Sequence, residues 1–496
     1  MRSWRVCGAA IVALMATSAG HAETLQQAFV KVYAGNPSLT GARAGLRAID
    51  ESVPIAIAGG RPQLSASAEY DEFLRRSPNS FTSPVRVFQA SPTLSLPIFQ
   101  GGAVRNAIHA ARSRVDAGRA DLRSTEANLF VNTVQAYMDV IRDQSIVEFN
   151  ENNVRVLDTN LQASRDRFEV GDLTRTDVAQ SEARLAVARS QLQSAQAQLD
   201  ASRQSYLRIV GDFPAQLEPP PPLPTFPATA DDAVDVAIEN NAAIEAAKAA
   251  SRAAAYDVGS ARATRLPTLS AFGTGNYTNY FNTLGGPSSA QFSQTEKTAT
   301  VGVRATLPLY QGGLPGARVR QAQARESQAI EGVTEVERSV VADTRTAYSR
   351  YQAALEVIRS SESAVAANEL ALEGVRAEQT VGTRTILDVL NAEQELLNSR
   401  VTLVSAQHDA YVQGFVLLAA LGKAEARDLG LDGGALYDPA VNFRRVHHRL
   451  NDWDSDPKPQ PVASRTVDVP VVSAVVPSAS TPAAPAAPNR VTPPQN

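Results

Sequence analysis

The chain contains its own copy. Leu96-Pro97-Ile98-Phe99-Gln100-Gly101-Gly102 returns as Leu307-Pro308-Leu309-Tyr310-Gln311-Gly312-Gly313, 211 residues later. The same offset carries Ala136-Tyr137 onto Ala347-Tyr348, Val170-Gly171 onto Val381-Gly382, Asp177-Val178 onto Asp388-Val389, Glu182 onto Glu393 and Gly211 onto Gly422, without a gap. Upstream, Pro62, Leu64 and Ser65 match Pro267, Leu269 and Ser270 at an offset of 205, so the second copy carries six extra residues between about 70 and 96 of the first. A repeat of this kind means that one structural unit is used twice. The 496 residues are therefore read as two copies of one element rather than as several globular domains.

Within each copy the apolar period is first helical. Ser181, Leu185, Ala188, Leu192, Ala195, Leu199, Ser202, Tyr206 and Ile209 advance in alternating steps of four and three, a heptad seam, and Val104, Ile108, Ala111, Val115, Gly118, Leu122, Thr125 and Leu129 do the same. No proline lies between 103 and 213, and the one break is near Gly171. A helix over 103–169 would be about 100 Å long, too long for a compact domain. The seam predicts coiled-coil packing against a shorter helix over about 175–210. Its missing length is expected from helices near 25–58 and 230–263, stacked end to end with it.

Between the early and the long helices the period is two. Ala299, Val301, Val303, Ala305, Leu307 and Leu309 alternate with small or polar residues, as do Leu64, Ala66, Ala68, Tyr70 and Leu94, Leu96, Ile98. Each copy then holds a hairpin of two strands with polar loops near 74–84 and 281–296. One apolar and one small polar face fits an outer-membrane barrel, and equally a half-buried soluble hairpin; four matched segments in two copies favour the barrel. Phe73, Phe88, Phe99, Tyr280, Phe281, Phe292 and Tyr310 near the strand ends would form its interfacial girdles. Open edges are not tolerated in lipid. Two chains would give eight strands and a filled interior, three would give twelve and an open lumen, so a trimer is expected.

Composition removes other classes. Arg2 and Arg5, the apolar run Val6–Ala19 and Gly20-His21-Ala22 form an export signal over 1–22. The only cysteine, Cys7, lies inside it, which leaves no disulfide, thiolate or lipid-anchor cysteine in a mature chain beginning at Glu23. With 47 basic against 51 acidic residues and no basic block, nucleic acid is not an expected partner. No catalytic constellation, cofactor or metal site is read: His109 and His408 fall on helix faces, and His447-His448 is not a ligand set. The Gly-Gly turns lack the Lys-Ser/Thr of a phosphate loop. The expected organisation is a first repeat over 23–211, a proline-rich connector over 212–228, a second repeat over 229–428 and an extension over 429–496, disordered from about 457.

The duplicated helix–hairpin–helix plan, the paired Leu-Pro-x-aromatic-Gln-Gly-Gly turns and two tips, Phe168–Val178 and Val381–Asn391, resemble the TolC family of outer-membrane channel-tunnels over about 24–430. The resemblance implies a homotrimer of mainly α chains with a twelve-strand barrel in outer-membrane lipid and an α-helical tunnel through the periplasm. It implies a passive exit duct, not an enzyme, opened by a periplasmic adaptor (membrane fusion protein) and an inner-membrane ABC transporter or RND-type pump. Type I protein secretion is the leading expectation, multidrug efflux the alternative, and a periplasmic coiled-coil scaffold without a barrel the reading from another class. By resemblance Arg384 and Asp388 belong to the periplasmic gate, as latch and as three-fold acidic ring, and Thr176 and Asp177 match linking positions of the other hairpin. Gln379 and Asn391 depart from the family's tyrosine and second aspartate, which implies a closed gate with fewer links. Thr174-x-x-Asp177 and Thr385-x-x-Asp388 also read as capping boxes, with Gly171 and Gly382 as ordinary helix stops.

Overall fold

The computed structural model describes residues 22–75, 83–431 and 436–468. The export signal (apart from Ala22), most of the first hairpin loop and the tail after Asp468 lie outside the described residues. In the first copy come α1 (Leu25–Gly35), α2 (Pro37–Asp50), α3 (Ser52–Ala58), β1 (Gln63–Glu72), β2 (Arg86–Gln100), α4 (Ala103–Glu169) and α5 (Arg175–Val210). In the second come α6 (Ala230–Asn240), α7 (Ala242–Ala263), β3 (Thr268–Asn279), β4 (Thr295–Thr306), α8 (Leu314–Thr380) and α9 (Ile386–Ala420), followed by α10 (Ala440–Val446) in the extension.

The long helices are continuous: α4 and α8 each have 67 residues. The seam positions Ser181, Leu185, Ala188, Ala195, Leu199, Ser202 and Tyr206 are buried against α4, and Ser164 Oγ meets Ser181 Oγ at 3.3 Å between the two helices. End-to-end stacking is present and has a built joint. Asn36 caps α2 by accepting from Ser38 N at 2.8 Å and donates from Nδ2 to Ile209 O, in the last turn of α5, at 2.8 Å. Asn241 does the same 205 residues on, accepting from Ala243 N at 2.9 Å and donating to Ala420 O of α9 at 3.1 Å. One amide thus satisfies an orphan donor of one helix and an orphan acceptor of the next.

The two copies are not equivalent in burial. α4 is packed by α2, α3, α5, α7 and α9 and buries 22 residues, whereas α8 lies at one side and buries six. Phe29, Phe130 and Phe415 join α1, α4 and α9, with ring centroids 5.0 and 5.7 Å apart, so the central core crosses between the copies. Each such fully buried ring contributes about 1.5–3 kcal/mol. Arg123 of α4 adds a charged clamp, 2.5 Å from Glu245 of α7 and 2.6 Å from Glu425 after α9. The proline-rich connector is laid against the helices: Tyr137 Oη donates to Glu218 O at 2.6 Å, Tyr411 Oη to Pro221 O at 3.0 Å, and Tyr348 Oη to Ala228 O at 2.6 Å.

His408 of α9 is buried and sits between carboxylates. Its Nε2 lies 3.0 Å from Asp139 of α4 and its Nδ1 2.9 Å from Asp409, with Arg142 close by on α4. Burial disfavours the imidazolium, but hydrogen bonding to the two carboxylates outweighs it and raises the pKa. Burial likewise opposes the Asp139 carboxylate, yet His408 and Arg142 hold its pKa below the usual value. The His408 contribution is complete below the ordinary histidine range near 6.5 and is lost as pH rises through the folded value. The Asp139 contribution is lost only in acid. The unfolding temperature is therefore expected to fall as pH is raised from about 6 to about 9, and His408→Gln to flatten that slope, both measurable by thermal melts. An unchanged slope in the variant would show that other groups carry it.

The strands form one antiparallel sheet in the order β1-β2-β3-β4. Its register pairs Leu64 with Leu94, Tyr70 with Phe88, Leu96 with Ala271, and Ala271 with Val303, so one face is apolar across all four strands. Ser65, Thr93, Thr274 and Thr300 pair along the other face. The alternation predicted through Leu309 stops earlier, because β4 ends at Thr306. The equivalent Pro97 stays within β2, where a bulge between Pro97 and Phe99 lets β3 pair on to Gln100. β4 is an edge with no such neighbour, and Pro308 has no N–H with which to extend a ladder. Both turns then close alike, with Gly101 and Gly102 at φ 61° and 85° and Gly312 and Gly313 at 59° and 82°.

Candidate functional site at the paired helix tips

Each long helix turns back on itself through a few residues that leave little freedom. Gly171 (φ 83°) and Gly382 (φ 82°) end α4 and α8 in the left-handed region, where any other residue would cost about 1–2 kcal/mol. Asp172 N donates back to Arg167 O at 2.9 Å, and Thr383 N to Glu378 O at 3.1 Å, which closes a Schellman turn in both copies. The next helices begin at once. Thr174 Oγ1 accepts from Asp177 N at 3.3 Å while the Asp177 carboxylate accepts from Thr174 N at 3.0 Å; Thr385 and Asp388 repeat this at 3.3 and 3.0 Å.

The gate candidates fall on these tips as follows. Asp177 and Asp388 are both engaged as capping carboxylates, and hydrogen bonds from their threonines hold the pKa of each below the usual range. Both therefore stay charged at neutral pH. Arg384 points to its own hairpin, with Nε 2.7 Å from Glu378 Oε2. Thr176 is exposed and Gln379 half-buried; the Gln379 backbone carbonyl accepts from Gly382 N at 3.1 Å. Within one chain these residues are not brought together across the two tips.

Asn391 is. Arg184 Nη2 of α5 donates to Asn391 Oδ1 of α9 at 2.7 Å, tying the second hairpin to the first. Below that bond Leu390 is buried to 2% exposure among Leu157, Leu161, Leu185 and Ala188 of the first hairpin, with Val178 and Ile386 at its margin. Its neighbour Val389 packs the other way, against Leu372 and Leu396 of its own hairpin. The first turn of α9 thus clasps two hairpins with adjacent side chains. Neither Arg184 nor Leu390 was singled out by the sequence, although the offset of 211 marks Leu390: Ile386 and Leu390 stand where the first copy has Arg175 and Ala179. Two apolar residues stand in place of a cation and a small residue on the face that the second tip turns to the first hairpin.

Among the described residues there is no group of three or more His, Cys, Asp or Glu side chains able to hold a metal, and no helix is long and apolar enough to cross a membrane. The arrangement offers a mechanical contact between two hairpins and a set of charges at their ends, with no acid–base pair or nucleophile between them.

Comparison with known proteins agrees with this geometry. The family model described as "Outer membrane efflux protein" matches residues 29–212 and 233–423. The chain is 34% identical over 424 residues to the outer membrane efflux protein BepC of Brucella suis, a match that covers 86% of this chain and 90% of BepC. It is 25% identical over 472 residues to the outer membrane protein TolC of Escherichia coli, covering 91% and 94%. Among solved structures, the Campylobacter jejuni CmeC outer membrane channel superposes with a TM-score of 0.72 at 18% identity, over 87% of this chain and 90% of that one.

Proposed function

The chain belongs to the outer membrane efflux protein family, whose members are outer-membrane channels rather than enzymes, and from that premise we propose that it is the passive trimeric exit duct of a tripartite export system. The observation that carries this is the sheet. It has one apolar face and two edges, β1 and β4, and in lipid every strand edge must find a partner. Joining β4 of one copy to β1 of the next closes a ring, and three copies give twelve strands with an open lumen. The helices then continue that ring as a tunnel of about 100 Å. The motive force comes from an inner-membrane transporter, coupled through a periplasmic adaptor seated between the helical hairpins.

At the far end the tips form the gate. Arg384 and Asp388 act where three tips converge, the arginine as latch between neighbours and the aspartates as an acidic ring. Each capping box fixes the place at which a charge is presented, so capping and gating use the same residues. Leu390 and Arg184 hold each second hairpin to the first of its own chain. Type I protein secretion is supported by the likeness of the second tip to the TolC family. A second reading, efflux of small molecules, is favoured by the relationship to BepC, described as an efflux protein.

The purified protein is expected to run as a heat-modifiable trimer and to insert channels into planar bilayers, with Arg384→Ala and Asp388→Ala raising single-channel conductance and leaving the trimer intact. A protein extracted without detergent, with no channel activity, would refute the duct. Unchanged conductance with a lowered melting temperature in both variants would reduce Asp388 to a cap and Arg384 to a partner of Glu378 within its own hairpin. Deletion of the gene, followed by a secreted-protein profile beside a drug-susceptibility panel, separates the two cargo classes.

A further inference from the structure

The extension after the second repeat follows the first copy toward the sheet. Tyr437 N donates to Tyr33 Oη of α1 at 2.9 Å, Asn442 Nδ2 to Asp50 Oδ2 at the end of α2 at 2.8 Å, and Arg449 O accepts from Arg61 Nη1 at 2.9 Å. Phe443 of α10 packs beside Val53, Ala111 and Val115. The base of the sheet is at the same level, since Gln100 Nε2 at the end of β2 donates to Gly59 O at 3.1 Å. After Arg449 the chain turns, with Trp453 N bonded to Asn451 Oδ1 at 3.1 Å, and runs back until Ser464 lies against Gly211 at the end of α5. The tip of this loop thus sits within reach of one arginine side chain of the barrel rim.

That tip carries Leu450 at 74% and Trp453 at 94% exposure, whereas Asn442 and Val446 before it are buried. Two of the carboxylates beside it are neutralised: Asp454 lies 3.0 Å from Arg449, and Asp456 2.5 Å from Arg445. Phe99 and Tyr310, 50% and 89% exposed, stand at the same end of the sheet. A tryptophan and a leucine exposed on one turn, near the end of the sheet that carries two exposed aromatic residues, suit a membrane–water interface.

We propose that the 450–453 turn is a second membrane contact of this chain, a loop whose Trp453 and Leu450 enter the headgroup region of the leaflet facing the periplasm, beside the barrel. The occupant is lipid, because Arg449, next to the turn, is bonded to Arg61 just before β1, which brings the turn to the base of the sheet whose apolar face is proposed to meet the bilayer. The inference rests on the proposed barrel and is independent of the cargo and of the gate.

Of the two tryptophans, Trp4 falls within the export signal, so Trp453 is the only indole of the mature chain, and Trp4→Phe removes any contribution from unprocessed protein. In that background the full protein, reconstituted into phosphatidylcholine vesicles, is expected to show tryptophan emission quenched more by lipids brominated near the headgroup than by lipids brominated deep in the chain. Leu450→Asp should cut that quenching by about half or more while the heat-modifiable trimer persists. Emission quenched freely by acrylamide and untouched by either brominated lipid would overturn the proposal. So would an indole shielded from both, which would place the turn against protein.

Discussion

Replacing Val301 by arginine is expected to abolish assembly in the outer membrane, whereas the same change one residue away, Thr300→Arg, is expected to be tolerated. Val301 lies midway along β4, 88% exposed, and pairs with Gly273 on the apolar face. Thr300 pairs with Thr274 on the polar face, which already carries Arg304 stacked 4.9 Å over Phe272. A cation at the lipid midplane costs about 2–4 kcal/mol, and a trimer counts it three times, roughly 6–12 kcal/mol in all. That is as large as the whole stability of an ordinary domain. The measurement is heat-modifiable trimer in outer-membrane fractions, with periplasmic degradation products for Val301→Arg and a changed ion selectivity for Thr300→Arg. Equal tolerance of both would mean that the sheet does not face lipid. Loss of both would mean that the strand is buried on two sides.

Much of this fold was legible because its signals are periodic. A heptad seam through Leu185, Ala188, Ala195 and Leu199 and the absence of proline leave one solution, a long helix with an antiparallel partner. The helix ends were legible as well, since Gly171, Gly382, Thr174 and Thr385 write their backbone geometry into residue type. Where the reading ran over, at Leu307–Leu309, alternation could not report that β4 is an edge while β2 is not, because the neighbour that makes the difference is 170 or so residues away in the chain. The asymmetric burial of α4 and α8 has the same cause. The seams also differ in residue, with Glu326 of α8 where α4 has Val115, and a repeat conceals such differences until its copies are compared residue by residue.

The tips show this most clearly. Resemblance drew attention to the charged residues Arg384 and Asp388, yet inside one chain these serve their own hairpin, through Glu378 and Thr385. The contact that joins the hairpins is mainly apolar, and it came from residues that a search for chemistry passes over. Exposed ion pairs contribute little, whereas a leucine buried to 2% exposure in a neighbouring hairpin is worth several times more.

Leu390→Ala should therefore open the gate further than any single charge substitution at the tips. Removing the side chain from among Leu157, Leu161, Leu185 and Ala188 deletes buried methyl groups and leaves a gap, a loss of about 2–5 kcal/mol in each protomer. The hydrogen bond from Arg184 to Asn391 is exposed and contributes less, so Arg184→Ala alone should give a small effect and the double variant little beyond Leu390→Ala. Because the same hairpin must be released at three places for the ring to widen, the three losses act together on one closed state. Single-channel recordings should show the resting conductance rise strongly for Leu390→Ala and modestly for Arg184→Ala, and Leu390→Met should stay near the parent because it refills the volume. The trimer should assemble in all of them, since the barrel and the central core around Phe130 are far from the tips, and Leu390→Ala should lower the melting temperature alongside its rise in conductance. A lowered melting temperature with closed-gate conductance would make Leu390 a packing residue and nothing more. A rise in conductance for Leu390→Met equal to that for Leu390→Ala would locate the effect in leucine's shape rather than in burial, and the clasp would have to be sought elsewhere on α9.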